Sequence, residues 1–125
     1  MTRLRLFAAF FLALVAFPQI AQAQSVSMTW KFKAFHENIV DIQLYSQNRN
    51  NVWPGTTRVW SIKNFETQTM KISCIAGERI CHGAWVRGTS SMTWGVGQNN
   101  KQRCANCCYT CADNVSTPVI NLNTR

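Results

Sequence analysis

Residues 27–46 read SMTWKFKAFHENIVDIQLYS, and the alternation in this stretch decides the fold class. Met28, Trp30, Phe32 and Ala34 share one face, with Thr29, Lys31 and Lys33 on the other. After His36-Glu37-Asn38, the residues Val40, Ile42 and Leu44 oppose Asp41, Gln43 and Tyr45. A period of two is that of a β-strand with one buried face. Two such runs around a short polar reversal predict a β-hairpin.

The same pattern continues outward. Trp53-Pro54-Gly55 reads as a turn, Pro and Gly supplying the fixed and the permissive backbone. Short strands are predicted over Thr57–Ile62, Gln68–Cys74, Ile80–Arg87 and Met92–Val96, with turns at Ala76–Arg79 and Gly88–Ser90. Turn signals every 8–12 residues between about six strands predict a small all-β antiparallel sandwich or barrel. Apart from the N-terminal segment, no apolar stripe of helical period appears. Asp113–Arg125, rich in Asn, Thr and Ser, reads as a loosely held polar tail.

The N-terminal segment is of another kind. Met1–Arg5 carries two Arg, Leu6–Phe17 is an unbroken apolar run, Pro18 ends it, and Ala21-Gln22-Ala23 has the small residues of an A-x-A cleavage site. This is the pattern of a secretory signal peptide over residues 1–23, whose apolar run of twelve is too short to span a bilayer core, which needs about 20 residues. The expected product is therefore exported, to the periplasm or beyond the cell. No later segment is long or apolar enough to cross a membrane as a helix. The domain layout is then a signal peptide at 1–23, a β domain with its Cys cluster at 24–112, and a polar tail at 113–125.

Removing the signal peptide takes four of the six Leu and leaves all five Trp and all six Cys. The aliphatic core is thin, so aromatic area and cross-links must compensate. An even number of Cys in an exported chain reads as three disulfides. Cys104-Ala-Asn-Cys107-Cys108-Tyr-Thr-Cys111 puts four sulfurs in eight residues, while Cys74 and Cys81 flank the turn at Ala76–Arg79. If that turn closes a hairpin, Cys74 faces Cys81 and a cross-strand bridge fits; two bridges from the hairpin to the cluster fit as well. Six Cys allow fifteen pairings, and spacing does not choose among them.

The whole chain holds thirteen Lys and Arg against five Asp and Glu, a formal charge of +8. An excess of scattered positive charge keeps a small domain soluble and attracts polyanions. Lys31 and Lys33 on the first strand, with Trp53 and Trp85 as the tryptophans expected at the surface, are the binding candidates. The expected role is a non-catalytic exported binding module, its partner a polyanionic envelope or extracellular polymer, with no cofactor and no specific nucleic-acid motif. One alternative is a thiolate metal site in the CxxCCxxC cluster. Another is a small basic secreted nuclease or hydrolase working by acid–base chemistry through His36 and His82, the only histidines. No Ser elbow, HExxH, P-loop or dinucleotide fingerprint is present.

Taken together, Tyr45–Arg49 (YSQNR), Val52-Trp53-Pro54-Gly55, Gly77–Trp85 (GERICHGAW), Trp94–Gly97 (WGVG) and the terminal CxxCCxxC resemble a small six-cysteine β-module of uncharacterised exported bacterial proteins. The likeness spans residues 28–112. It implies a folded exported module and no particular activity.

Overall fold

The computed structural model describes residues 13–18, 23–89 and 91–123. Most of the expected signal peptide lies outside these residues. Within it, 13–18 has no regular structure, and Leu14 and Phe17 are exposed. Nine strands follow among the described residues: β1 Ser25–Ala34, β2 Val40–Ser46, β3 Val52–Trp53, β4 Trp60–Ile62, β5 Gln68–Ile75, β6 Arg79–Val86, β7 Thr93–Gly95, β8 Cys108–Thr110 and β9 Val115–Leu122. They form two sheets. One has the order β5-β1-β9; the other runs β3-β2-β6-β7, with β4 also on β2 and β8 also on β6. The fold is a small open sandwich, not a closed barrel.

The inner faces follow from the alternation. Met28, Trp30, Phe32 and Ala34 of β1 and Met70, Ile72 and Cys74 of β5 meet Val40, Ile42 and Leu44 of β2 and Ile80, Ala84 and Val86 of β6. Burial of such side chains stabilises by about 25 cal/mol for each Å2 of apolar area removed from water. Trp30 and Phe32 stack at 6.0 Å between centroids and supply much of the volume that the scarce aliphatics do not.

The expected hairpins do not form. β1 and β2 belong to different sheets, and 35–39 crosses between them; β5 and β6 are likewise separated by the crossing at Ala76-Gly77-Glu78. Alternation specifies which face of a strand is buried, not which strand lies beside it. Here both faces are buried more completely by meeting across the sandwich. Cys74 therefore points into the core while Cys81 lies on the outer face of the second sheet, so no bridge joins them.

The polar tail is corrected too. Val115–Leu122 is β9, parallel to β1 from Met28↔Val115 to Ala34↔Leu122. The ladder slips between Thr29 and Lys31, where Pro118 has no N–H to offer, and the Lys31 N–H donates to Thr117 Oγ1 at 3.1 Å instead. Proline is tolerated there because β9 is an edge strand. Thr117 and Leu122 are buried.

Three disulfides lock this arrangement. Cys74–Cys111 ties β5 of the first sheet to the end of β8 (Cα–Cα 6.2 Å). Cys81–Cys108 joins directly opposed residues of β6 and β8 (Cα–Cα 3.9 Å). Cys104–Cys107 closes a loop (Cα–Cα 5.7 Å), leaving no free cysteine.

Candidate functional site

Every residue of β2 is buried, including the outward-facing Asp41, Gln43 and Tyr45. The cover comes from 54–59 and 96–108, which lie over the outer face of the second sheet and build a small second core of Tyr45, Cys81 and Val96. Two glycines permit it. A Cβ on Gly83 would overlap the Gly97 carbonyl, and one on Gly95, at φ +64, would overlap the His82 carbonyl. Asn99 and Asn100 continue the cover in the left-handed region, at φ 61 and 56, which Asn tolerates better than most residues.

Buried polar groups on this face are bonded throughout. Tyr45 Oη donates to Gln43 Oε1 at 2.7 Å and accepts the Asn99 N–H at 2.9 Å; Gln43 Nε2 donates to the carbonyls of Gly55 and Arg58. Burial raises the Tyr45 phenol above its ordinary value, the Asn99 bond opposing it. Asp41 takes a fork from Arg87 (Nε 3.0 Å, Nη2 2.8 Å) and a bond from Ser61 Oγ. Glu78 takes a fork from Arg49 (Nε 2.5 Å, Nη2 3.1 Å), a bond from Ser46 Oγ and one from the Ile75 N–H. Its burial raises the carboxyl pKa, but the bonds from Arg49, Ser46 and Ile75 outweigh this and hold it below the ordinary value. Glu78 thus pins the start of the β2–β3 loop to the crossing between the sheets.

These two pairings decide the surface charge. Asp41 and Glu78 are buried and neutralised, leaving Glu37, Glu66 and Asp113 as the remaining acids of the chain. Among the described residues Lys31, Lys33, Arg58, Lys63, Lys71, Arg79, Lys101 and Arg103 make no ion pair. Arg79 and Arg103 converge on one place. With Gln47, Asn100 and Gln102 they rim an open cleft of about 530 Å3, whose remaining wall is Val96, Ala105 and the residues Cys81, Cys104 and Cys108. A smaller polar cavity of about 260 Å3, with Tyr45, Asn50, Asn51 and Thr56 in its wall, shares Asn100 with the cleft. Gln47 Nε2 donates to Asn100 Oδ1 at 3.4 Å between them. Two unpaired guanidiniums among side-chain amides, beside rigid disulfides, suit an anionic ligand.

The residues singled out from sequence are placed unevenly. Lys31 and Lys33 stand half-buried on the outer face of the other sheet, with Lys71 opposite Thr29 on β5. Lys33 Nζ lies 5.2 Å from the Phe35 ring centroid. Trp53 and Trp85 are not surface platforms: they are 9% and 7% exposed. Trp53 Nε1 donates to the Ser73 carbonyl across the sandwich at 3.0 Å, and the Arg49 guanidinium lies 5.7 Å from its ring. His36 sits in the 35–39 crossing, accepting the Asn38 N–H at Nδ1, while His82 is in the middle of β6 opposite Leu44. His82 packs edge-on to Trp30 and Phe32, and its Nδ1 meets the Cys107 carbonyl at 3.1 Å. Burial, opposed only in part by that bond, pushes its pKa down to about 4. The two histidines form no acid–base pair. With every sulfur in a disulfide, the CxxCCxxC cluster has no thiolate to give a metal.

Arg79, Arg103 and the amides of Gln47, Asn100 and Gln102 are the residues sequence reasoning passed over. The signal was there: Arg79 stands two residues before Cys81, and Arg103 immediately before Cys104. Once those cysteines are joined through the cluster, the two arginines must be neighbours. In comparison with known proteins, no family model, curated protein or solved structure matches this chain.

Proposed function

We propose that this chain is an exported, non-catalytic binding module that holds an anionic polymer of the envelope or the extracellular space in the Arg79–Arg103 cleft. The observation that carries the reading is the pair of unpaired guanidiniums on a wall of cross-linked cysteines, while Asp41 and Glu78 are buried in pairs of their own with Arg87 and Arg49. The excess of uncompensated cations would draw a polyanion from a distance, and the cleft would orient it. Three disulfides favour an oxidising compartment, as the N-terminal pattern does, and the resemblance to an exported six-cysteine module agrees with both. Among the described residues no helix is long and apolar enough to cross a membrane.

Heparin is a suitable generic probe. Binding to the oxidised domain should weaken steeply with salt, because charge neutralisation carries it. Arg79→Gln with Arg103→Gln should lower affinity by about tenfold or more, since hydrogen bonds to charged groups contribute about 1.5–3 kcal/mol each. Lys31→Gln with Lys33→Gln should have a much smaller effect. Salt-independent binding, or equal losses from both double variants, would refute the cleft as the site.

A further inference from the structure

The three disulfides are not equivalent, and we propose that the third, Cys104–Cys107, is an exchange site that accepts two electrons from a peptide or protein dithiol entering the cleft. Cys74–Cys111 joins one sheet to the segment that pairs with the other, and Cys81–Cys108 joins two strands. Cys104–Cys107 joins no two elements. It closes a loop around Ala105 and Asn106, both exposed, and so restrains the unfolded chain least of the three. A disulfide with one sulfur reachable from an open cleft and little architecture depending on it is the kind that exchanges.

Its two sulfurs differ as an exchange centre requires. Cys104 is half-buried and lines the open cleft with Arg79 and Arg103, whose charges attract a thiolate and stabilise one left at this position. Cys107 is buried, and its carbonyl accepts the His82 N–H at 3.0 Å and meets the His82 ring at 3.1 Å. Those bonds keep Cys107 on β6 when the disulfide opens, so that only the Cys104 side of the loop moves.

The step balances. A partner thiolate bonds to Cys104 Sγ as the Cys104–Cys107 bond breaks, and the electron pair leaves on Cys107 Sγ. The partner's second thiol gives its proton to Cys107 and attacks its own sulfur in the mixed disulfide, expelling the Cys104 thiolate. The partner dithiol is oxidised to a disulfide, and Cys104–Cys107 is reduced to a thiol and a thiolate. This proposal does not rest on polyanion binding, and its test contains no polyanion.

The experiment is reduction of the oxidised chain in graded dithiothreitol, followed by acid quench, maleimide labelling and peptide mass mapping, with tryptophan fluorescence read in parallel. Cys104 and Cys107 should be labelled together at reductant levels about tenfold or more below those that open the other two disulfides, with fluorescence unchanged. Opening no earlier than the other two, or only with loss of the native fluorescence, overturns the proposal. The rate of opening by glutathione, an anionic thiol, should fall several-fold in Arg79→Gln with Arg103→Gln, while the rate with cysteamine, a cationic one, should not fall. Equal effects on both rates would remove the arginines from the mechanism and overturn the exchange site as drawn.

Discussion

Acidification from pH 7.5 to 5 should destabilise the domain through His82. Its Nδ1 meets a carbonyl oxygen, which only accepts, so the neutral ring carries its proton on Nδ1. Protonating Nε2 would place a charge within a ring cluster whose centroids lie 6.5 Å (Trp30) and 5.5 Å (Phe32) away. Burial therefore holds the folded pKa at about 4, against 6.5 for an unperturbed histidine. Between those values the unfolded chain binds the proton and the folded one does not. The contribution of neutral His82 is thus fully present above pH 6.5 and is lost as pH falls towards 4. The slope approaches 1.4 kcal/mol per pH unit, which integrates to about 2 kcal/mol by pH 5 and about 3 kcal/mol by pH 4. Denaturant unfolding of the oxidised wild type and of His82→Leu, from pH 7.5 to 5, measures it. The variant loses the bond to Cys107 at every pH, but the gap between the two proteins should close by about 2 kcal/mol across that range. Every other titrating group cancels in the difference. A pH-independent gap, or a His82 ring resonance titrating near 6.5, would refute the reasoning.

Replacing Cys74 and Cys111 together by Ala should destabilise more than replacing Cys104 and Cys107 together. In the chain-entropy account a loop of this sequence separation, 37 residues, contributes close to 4 kcal/mol, whereas the short loop closed by Cys104–Cys107 contributes about 2 kcal/mol. Calorimetric melting of the two double variants should therefore rank them in that order, and the opposite ranking would show that the sheets are not held by Cys74–Cys111. Ending the chain after Ala112 should prevent stable folding, because β1 loses its parallel neighbour, the core loses Leu122, and Trp94 Nε1 loses its acceptor at the Asn123 carbonyl. A truncated domain that melts within a few degrees of the complete one would restore the loose-tail reading.

What was legible in the sequence was the direction of each side chain. Period two is a property of one strand, so Met28, Trp30, Phe32 and Ala34, like Val40, Ile42 and Leu44, could be assigned to a buried face before any partner was known. Pairing was not legible, because it belongs to two strands and to the segment joining them. His36-Glu37-Asn38 has the polarity of a hairpin turn, yet the same residues bridge two layers equally well. β9 was hidden for a related reason: only Thr117 and Leu122 of its eight residues are fully buried. Its hold on the fold is mostly main-chain bonding to β1, to which side-chain pattern is blind. β3 and β8, at two and three residues, are set by what they lie against; β8 is a strand because Cys108 is placed opposite Cys81.

The site was less legible than the fold, and the tryptophans show why. Trp85 alternates away from the core face, and that reading of its direction was correct; its exposure was not, since it is only 7% exposed on a sheet whose outer face 54–59 and 96–108 in large part cover. That cover depends on atoms that are absent at Gly83 and Gly95, and the sequence shows those positions only as two glycines among six. The charges follow the same logic. Counting residues supplies a net excess of positive charge, but a count treats Asp41 and Glu78 like any other acid. Their forks from Arg87 and Arg49, whose side chains stay 49% and 40% exposed, make each pair neutral and bury its acid, which leaves the net charge unchanged and raises the ratio of exposed positive to exposed negative groups. Arg79 and Arg103 then become neighbours through covalent bonds, since β8 is laid on β6 by Cys81–Cys108 and carries the 96–107 loop with it. The cysteines were read as staples for a thin core. Their further consequence is positional: the framework that compensates for missing aliphatic area also gathers the unpaired arginines into a single cleft.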